Sequence, residues 1–267
     1  MPSSLRLRRL LCGVLLAALP ATAFACGDAE AVREAAYRQL PAGALPVTAR
    51  FTDADSTACR AWPAQPGTTL LAVAQWAAPA SEEARGGDLD LLLIDTASGQ
   101  PLAWTRVADA VSSDALRFTG LRLDTARWQL DPATRAFGVR MDYSGSSGPN
   151  PFAQTELQLF VREGRQLRRV LAPLAVSGSR GEWDTRCAGE FSRFERTLEM
   201  GSANAAGLAP IVVREKRTDT ISVAAGDDCH ATDTTAPAQR WTLQPATVAM
   251  PFRRRCAGSE GRAWAPP

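Results

Sequence analysis

The strongest structural feature of this sequence is a two-residue alternation of apolar and polar side chains. It is clearest at residues 135–143, where positions 137, 139, 141 and 143 are apolar or aromatic and the positions between them are small or charged. Successive side chains of a strand point to opposite faces, so the pattern predicts a strand with one buried and one solvated face. Related patterns recur from residue 69 to residue 243, and the sequence therefore predicts a mostly β fold.

Turn sequences between the apolar runs predict antiparallel hairpins. Thr96-Ala-Ser-Gly99 separates one pair of runs, and Glu163-Gly164 separates another. A change in the phase of the apolar positions at Gly120 predicts a bulge or bend in residues 116–123. The predicted hairpin strands are residues 89–95 with 102–107 and residues 155–162 with 166–171, and residues 69–76 form a further strand.

The pattern restarts beyond Gly178 and predicts an antiparallel C-terminal meander. Its strands are predicted at residues 194–200, 208–216, 219–223 and 240–243. The Gly/Ser/Arg segment at residues 177–181 is the predicted seam between the two halves. The overall prediction is sandwich-like, with a β-hairpin domain at residues 67–178 and a β-meander at 179–267; one continuous β domain at 67–255 is the alternative.

A single short helix is predicted ahead of the sheet, at residues 28–40. Asp28 is a suitable N-cap, apolar side chains recur at every fourth position from Val32 to Leu40, and Pro41 cannot continue a helix. A Pro/Ala-rich connector follows. Residues 26–66 are therefore predicted to hold the N-terminal helix and this connector.

One hairpin resembles a known family. Residues 91–104, Leu91-Leu-Leu-Ile-Asp95-Thr-Ala-Ser-Gly99-Gln-Pro-Leu-Ala-Trp104, resemble a blade hairpin of quinoprotein-type β-propellers, in which an Asp precedes a Thr/Ser-Gly turn and a Trp follows. Propeller blades repeat every 40 to 50 residues or so, and the pattern occurs once in this chain. The resemblance implies a partial propeller-like scaffold as an alternative, and closure into a propeller is not predicted.

The first 25 residues predict an export signal. Three arginines precede an apolar run at residues 10–19, and a small-residue Ala23-x-Ala25 site follows. The run is ten residues long, whereas a helix that spans a bilayer needs roughly 20. The sequence therefore predicts a signal peptide at residues 1–25, cleavage near Ala25, a periplasmic or secreted location and no transmembrane segment.

Cys26 directly follows the predicted cleavage site, where a bacterial lipoprotein carries its lipid. The resemblance to that motif is partial, because Ala23 replaces the usual leucine and Phe24 is bulky where a small residue is normal. Lipidation of Cys26, which would make the protein an outer-membrane lipoprotein, is therefore an alternative to a free domain.

Five cysteines remain after cleavage, and in an oxidising compartment they predict disulfides. The preferred pair is Cys187 with Cys229, because it would join the ends of the predicted meander. Without a lipid on Cys26, that residue would pair with Cys59 and leave Cys256 over. With a lipid, the other four would form two bridges.

The charge balance excludes one class of partner. The whole chain has a formal net charge of +2, but the predicted signal holds three arginines and no acid, so the mature part has 27 basic and 28 acidic side chains and a net charge of −1. A domain this balanced lacks the positive field that nucleic acid or an anionic membrane attracts. No nucleic-acid partner is predicted.

Acids and an aromatic residue are concentrated at residues 181–191, around Trp183. Glycoside hydrolysis needs two carboxyl groups about 5–10 Å apart, and an aromatic side chain beside acids is typical of sugar sites. It is equally typical of a solvated loop anchored by a disulfide. The candidate catalytic residues are Glu182, Asp184 and Glu190.

These observations predict a function only by class. The favoured hypothesis is an exported, non-catalytic envelope protein that binds another envelope or secreted protein or a small ligand; an inhibitor or immunity protein is one version. The alternative is an envelope glycan hydrolase that uses the acids near Trp183. His230 is the only histidine, which excludes a multi-histidine metal site, and no cofactor is predicted.

Overall fold

A computed structural model of the chain describes residues 26–45, 56–77 and 85–244. The predicted signal peptide at residues 1–25 and the predicted spare cysteine, Cys256, lie outside the described residues. Within them the fold is mostly β with one short helix, so the predicted fold class is confirmed.

The described residues form one helix and twelve strands. The helix, α1, is Ala29–Arg38. The strands, in chain order, are β1 Thr57–Ala61, β2 Thr68–Trp76, β3 Arg85–Asp95, β4 Pro101–Ser113, β5 Leu116–Gln129, β6 Arg135–Gly145, β7 Phe152–Glu163, β8 Gln166–Trp183, β9 Gly189–Met200, β10 Ile211–Ala225, β11 Asp228–Thr235 and β12 Gln239–Leu243.

The helix forms for the reasons that the sequence indicates. The Asp28 carboxylate accepts a hydrogen bond from the backbone N–H of Ala31 at 3.0 Å and satisfies one of the free donors of the first turn. The apolar side chains of Val32 and Ala36 face the sheet and are buried. The predicted helix is confirmed and is shorter than residues 28–40 by one residue at its start and two at its end.

All twelve strands belong to one mixed sheet. Its main path runs β1-β2-β3-β4-β8-β7-β6-β5, and every neighbouring pair is antiparallel except β4 and β8, which meet in parallel where Trp104 lies opposite Gln166. The two ends of the path approach each other: Arg60 of β1 donates a hydrogen bond to the carbonyl of Leu123 in β5 at 3.0 Å. The sheet therefore curls around the side chains on one of its faces.

Aromatic side chains fill the space that the curled sheet encloses. The ring of Phe137 lies 5.6 Å edge-to-face from Trp62 and 6.0 Å in a stacked arrangement from Phe160. The ring of Phe118 lies 5.3 Å edge-to-face from Trp76. These are the ring separations at which aromatic pairs contribute beyond simple burial, so the cluster fixes how the two ends of the sheet meet.

Strands β2 and β3 are buried on both faces, because α1 covers the face that turns away from the aromatic cluster. Val32 and Ala36 of the helix pack there with Leu71, Val73 and Leu92. Burial on both faces explains why these strands show apolar runs where a strand with one wet face would alternate. A further apolar cluster joins β6–β8 to the start of β10 and to β12.

A buried polar network attaches the helix to the sheet. The Arg106 guanidinium donates two hydrogen bonds to Asp90, from Nε at 2.6 Å and from Nη2 at 2.7 Å, and Asp90 is fully buried. The Tyr37 hydroxyl of α1 donates to the same carboxylate at 2.6 Å and accepts a hydrogen bond from Gln75 at 3.0 Å. Asp88 lies 3.7 Å from Arg106. Charge pairing and hydrogen bonding together satisfy the carboxylate that burial removes from water.

This network makes the stability of the fold sensitive to alkali. Burial and the neighbouring Asp90 carboxylate raise the pKa of Tyr37 above its ordinary value of 10.0, so the unfolded chain ionises this tyrosine before the folded chain does. We expect the free energy of unfolding to be unaffected by Tyr37 below about pH 10 and to fall above it by about 1.4 kcal/mol per pH unit. Urea unfolding followed by far-ultraviolet circular dichroism at pH 8, 10 and 11 measures the slope.

The matched control is Tyr37→Phe, which removes the titrating hydroxyl and keeps the ring. The other tyrosine, Tyr143, still contributes in that variant, because burial and Glu156 raise its pKa to about 12. We therefore expect Tyr37→Phe to lose about half of the alkaline slope. An unchanged slope would contradict the role of Tyr37.

Several strands differ from the sequence prediction. β1 lies inside the segment expected to be a connector, β10 is one strand where two were expected, and β11 was not predicted. β8 runs unbroken through the predicted seam at residues 177–181, and both halves share one sheet. The bulge at Gly120 is confirmed by a register shift between Phe118 and Gly120.

The hairpin that resembles a propeller blade forms from β3 and β4. Asp95 orders its turn by accepting hydrogen bonds from the backbone N–H groups of Ala97 at 3.1 Å and Ser98 at 2.8 Å. Both strands belong to the 12-stranded sheet and not to a separate four-stranded blade. The resemblance to a propeller extends to this hairpin alone.

Candidate functional site

The end of the sheet that β8 to β11 form has only exposed or half-buried residues, and we call it the arm. It consists of residues 177–183 of β8, 189–195 of β9, 218–225 of β10 and all of β11, which pair as an antiparallel extension of the sheet. None of these residues is buried, whereas every residue of β2 is. The arm therefore offers side chains to solvent and not to a core.

A disulfide closes the outer end of the arm. Cys187, in the turn between β8 and β9, is bonded to Cys229 of β11, with a Cα–Cα distance of 5.4 Å. The preferred pairing from the sequence is confirmed. Because the arm has no buried side chain, this covalent link adds to the pairing of β9 with β10 in holding the turn against the β10–β11 hairpin.

The second disulfide joins Cys26 to Cys59 of β1, with a Cα–Cα distance of 5.5 Å, as expected for a chain without a lipid on Cys26. It anchors the segment ahead of α1 to the edge of the sheet. A sulfur atom in a disulfide cannot also carry a thioether-linked lipid, so the two predicted states of Cys26 are mutually exclusive.

The base of the arm is fixed by one arginine. Arg196 donates from Nε to Glu215 and from Nη1 to the carbonyl of Ala175, each at 2.7 Å. Its guanidinium also lies over the rings of Phe194, at 4.7 Å, and Trp241, at 5.3 Å. These contacts combine ion pairing with cation–π attraction and set the direction in which the arm leaves the body of the sheet.

All three candidate acids line one shallow depression at the end of the arm, and two of them lie directly opposite each other. Glu182 of β8 lies directly opposite Glu190 of β9, so their side chains share a face, and such pairs have Cβ atoms about 4.5–5.5 Å apart. Asp184 has a different role. Its carboxylate accepts hydrogen bonds from the backbone N–H groups of Arg186 and Cys187, each at 2.8 Å, which hold the pKa of Asp184 below its ordinary value.

All three acids are exposed to water. Glycosidases place their proton donor in a desolvated pocket, where burial adjusts its acidity. Here Glu182 and Glu190 line an open groove of about 590 Å³ together with Arg180, Ser192 and Asp219. The arrangement is suited to charge–charge contact with a ligand more than to proton transfer.

Exposed apolar side chains are concentrated at the same place. Among the described residues, four large apolar side chains are exposed: Leu116 at 41%, Trp183 at 37%, Ile221 at 56% and Val223 at 48%. Three of the four lie at the outer end of the arm and line one shallow depression of about 520 Å³, together with Glu182 and Glu190. We call these five side chains the arm-end patch. An exposed apolar cluster with a polar rim is typical of an interaction surface.

The outer end of the arm is also strongly acidic. Residues 181–192 and 218–235 contain seven acidic side chains and one arginine, a net charge of −6, in a chain whose formal charge is +2. Arg180, Arg193 and Arg217 border these segments, and Arg180 and Arg217 line the groove with Glu182 and Glu190. Residues 180–193 and 217–235 together have a net charge of −3, so the region is acidic overall.

Comparison with protein families, curated proteins and solved structures finds no match to this chain. The arm must therefore be interpreted from its own geometry. In the parts of the chain that the structure describes, no three Cys, His, Asp or Glu side chains are grouped so that they could hold a metal ion. His230, on the exposed strand β11, lies opposite Val223.

The one helix of the described residues has ten residues and is too short to cross a membrane. Sequence reasoning singled out Glu182 and Glu190 but missed Ile221 and Val223. Their alternation with Ser222 predicts a strand with one buried face, and nothing in the sequence alone shows that this face lies in solvent.

Proposed function

We propose that this protein is an exported, non-catalytic binding module of the bacterial envelope and that the arm-end patch is its contact surface. The observation that carries the proposal is the grouping of Trp183, Ile221 and Val223, all exposed, on an extension held by a disulfide. Exposing large apolar side chains to water is unfavourable, and a partner that covers them recovers the cost.

The disulfides support the exported location. Disulfides persist in oxidising compartments such as the periplasm, and the N-terminal 25 residues have the order of a signal peptide. The bond between Cys26 and Cys59 favours a periplasmic or secreted domain over an outer-membrane lipoprotein anchored through Cys26.

The second candidate function is glycan hydrolysis. It is favoured by one observation, the position of Glu182 directly opposite Glu190 beside the exposed indole of Trp183. The exposure of both acids favours the binding module instead, because a glycosidase acid depends on a desolvated site.

Site-specific photo-cross-linking in intact cells tests the proposal. A photoreactive amino acid at Ile221 should cross-link one envelope or secreted protein, and the product should appear in the fraction that osmotic shock releases. The same amino acid at Arg38, whose side chain is 72% exposed on α1, is the matched control and should give no product.

A catalytic assay tests for the result that would contradict the binding proposal. The purified protein is incubated with a panel of envelope glycans, beside its Glu182→Gln and Glu190→Gln variants. Turnover by the natural chain that both variants lose would overturn the binding proposal and establish the hydrolase.

A further inference from the structure

We infer, on the basis of the proposed function, that the arm-end patch recognises a basic segment of a protein partner, in which a Lys or Arg side chain is flanked by apolar residues. The cation would lie between Glu182 and Glu190. Its apolar neighbours would cover Trp183, Ile221 and Val223.

The position of the two glutamates favours a cationic group in the ligand. Like charges directly opposite each other on neighbouring strands are unfavourable, and Glu182 and Glu190 form such a pair. Other acids of the arm are engaged: Asp219 accepts a hydrogen bond from Arg217 at 3.1 Å, and Asp233 accepts one from Thr220 at 2.6 Å. A cationic side chain placed between the two glutamates would replace their repulsion with two attractions.

The apolar side chains beside the glutamates favour a ligand that is also partly apolar. Ile221 lies opposite Glu190 in β10, so one row across three strands holds two acids and an exposed apolar residue. Trp183 is the last residue of β8, so its side chain leaves the opposite face of the strand from Glu182, and it lines the same depression at the strand end. An indole face attracts a cation and also packs against apolar groups, so the patch fits a mixed basic and apolar segment better than a purely charged one.

The net charge of the region around the arm-end patch also favours a cationic partner. The region remains negative, with a net charge of −3, when the bordering Arg180, Arg193 and Arg217 are counted, and this charge disfavours nucleic acid, anionic lipid and acidic peptides. It attracts a cationic segment from beyond the range of contact, and that attraction weakens as salt is added. Charge and apolar exposure therefore indicate the same class of partner.

The test begins with a phage library of random 12-residue peptides, selected on the purified, oxidised protein. We expect the enriched peptides to carry Lys or Arg beside apolar residues. The most enriched peptide is then synthesised and titrated by isothermal calorimetry. Glu182→Gln combined with Glu190→Gln should weaken its binding about tenfold or more, and so should Ile221→Ser combined with Val223→Ser.

The matched control also removes two negative charges, but from positions on β9 outside the depression. Glu195 and Glu199 are exposed glutamates of that strand outside the depression, and replacing both with Gln should alter binding less than about twofold. Circular dichroism of each variant verifies its fold. Peptides without basic residues, or equal losses in the two double glutamine variants, would overturn the inference.

The two proposals can fail separately. If Ile221 cross-links a partner through a segment that lacks Lys and Arg, the basic-segment inference is wrong and the binding module stands. If the cells yield no cross-linked partner and the glycan panel is turned over, the binding module itself is wrong.

Discussion

Replacing Arg106 with alanine is expected to lower the free energy of unfolding by about 3–5 kcal/mol. The change leaves Asp90, which is fully buried, without the guanidinium that donates two hydrogen bonds to it. It also removes the guanidinium that lies 3.7 Å from the carboxylate of Asp88. Tyr37 can still donate to Asp90, but one neutral donor does not replace a bidentate charged one.

The matched control is Arg122→Ala. Arg122 makes the same kind of bidentate contact, with Asp142, through two hydrogen bonds of 2.8 Å, but its side chain is 59% exposed. Water replaces the lost partner there, so we expect a cost of about 0–1 kcal/mol. Urea unfolding of the natural chain and both variants gives the comparison, and equal costs for the two arginines would contradict the account of a buried network.

Removal of the disulfide between Cys187 and Cys229, by changing both to Ser, is expected to destabilise the arm by about 2–4 kcal/mol. The bond closes a loop between residues 42 apart, and its loss restores the freedom of that loop in the unfolded arm. The arm has no buried side chain to offset the loss. Its strands would then be held by backbone hydrogen bonds and the contacts of Arg196 at the base.

Native-state hydrogen exchange measures this effect locally. Amides of residues 189–195 and 228–235 should exchange much faster in the double variant, while the amide of Val139, in the core of the body, should keep its protection. Unchanged exchange in the arm would show that its strands hold without the disulfide.

Much of the fold follows from local sequence, because local rules and tertiary packing agree in those places. Asp28 and Pro41 mark the ends of the helix, and β2 and β3 are evident as apolar runs because both of their faces are buried. β1 lacked any such signal. It has five residues, none of them buried, and forms through its pairing with β2.

The arm shows why other strands escaped prediction. Every residue of β11 is exposed, so no apolar alternation marks it; a turn at Gly226, with φ of +68°, returns the chain along β10. β10 was expected as two strands because polar residues near Arg217 interrupt its apolar pattern. Those residues lie where β10 enters the arm and are exposed or half-buried, so the strand needs no apolar side there.

The acids of the candidate site were predictable from the sequence, whereas its exposed apolar residues Ile221 and Val223 and the pairing of its strands were not. The sequence shows a concentration of acids around Trp183, and the predicted meander favours a disulfide between Cys187 and Cys229. The pairing of Glu182 with Glu190 depends on β8 continuing to Trp183, and the residues before that point are polar or small. Long-range pairing with β9 and β7 sustains the strand there, and that information is not local.

The parallel contact between β4 and β8 bears on how the chain folds. Residues 104 and 166 are neighbours in space, and the whole of β5 to β7 lies between them in sequence. Short turns join the consecutive strands from β5 to β8, so these strands can pair through contacts between residues that are close in sequence. Their attachment to β4 requires closure of a long loop, and the chain loses conformational entropy before any stabilising contact forms. We therefore expect the β5–β8 unit to assemble early and its docking against β1–β4 to limit the folding rate.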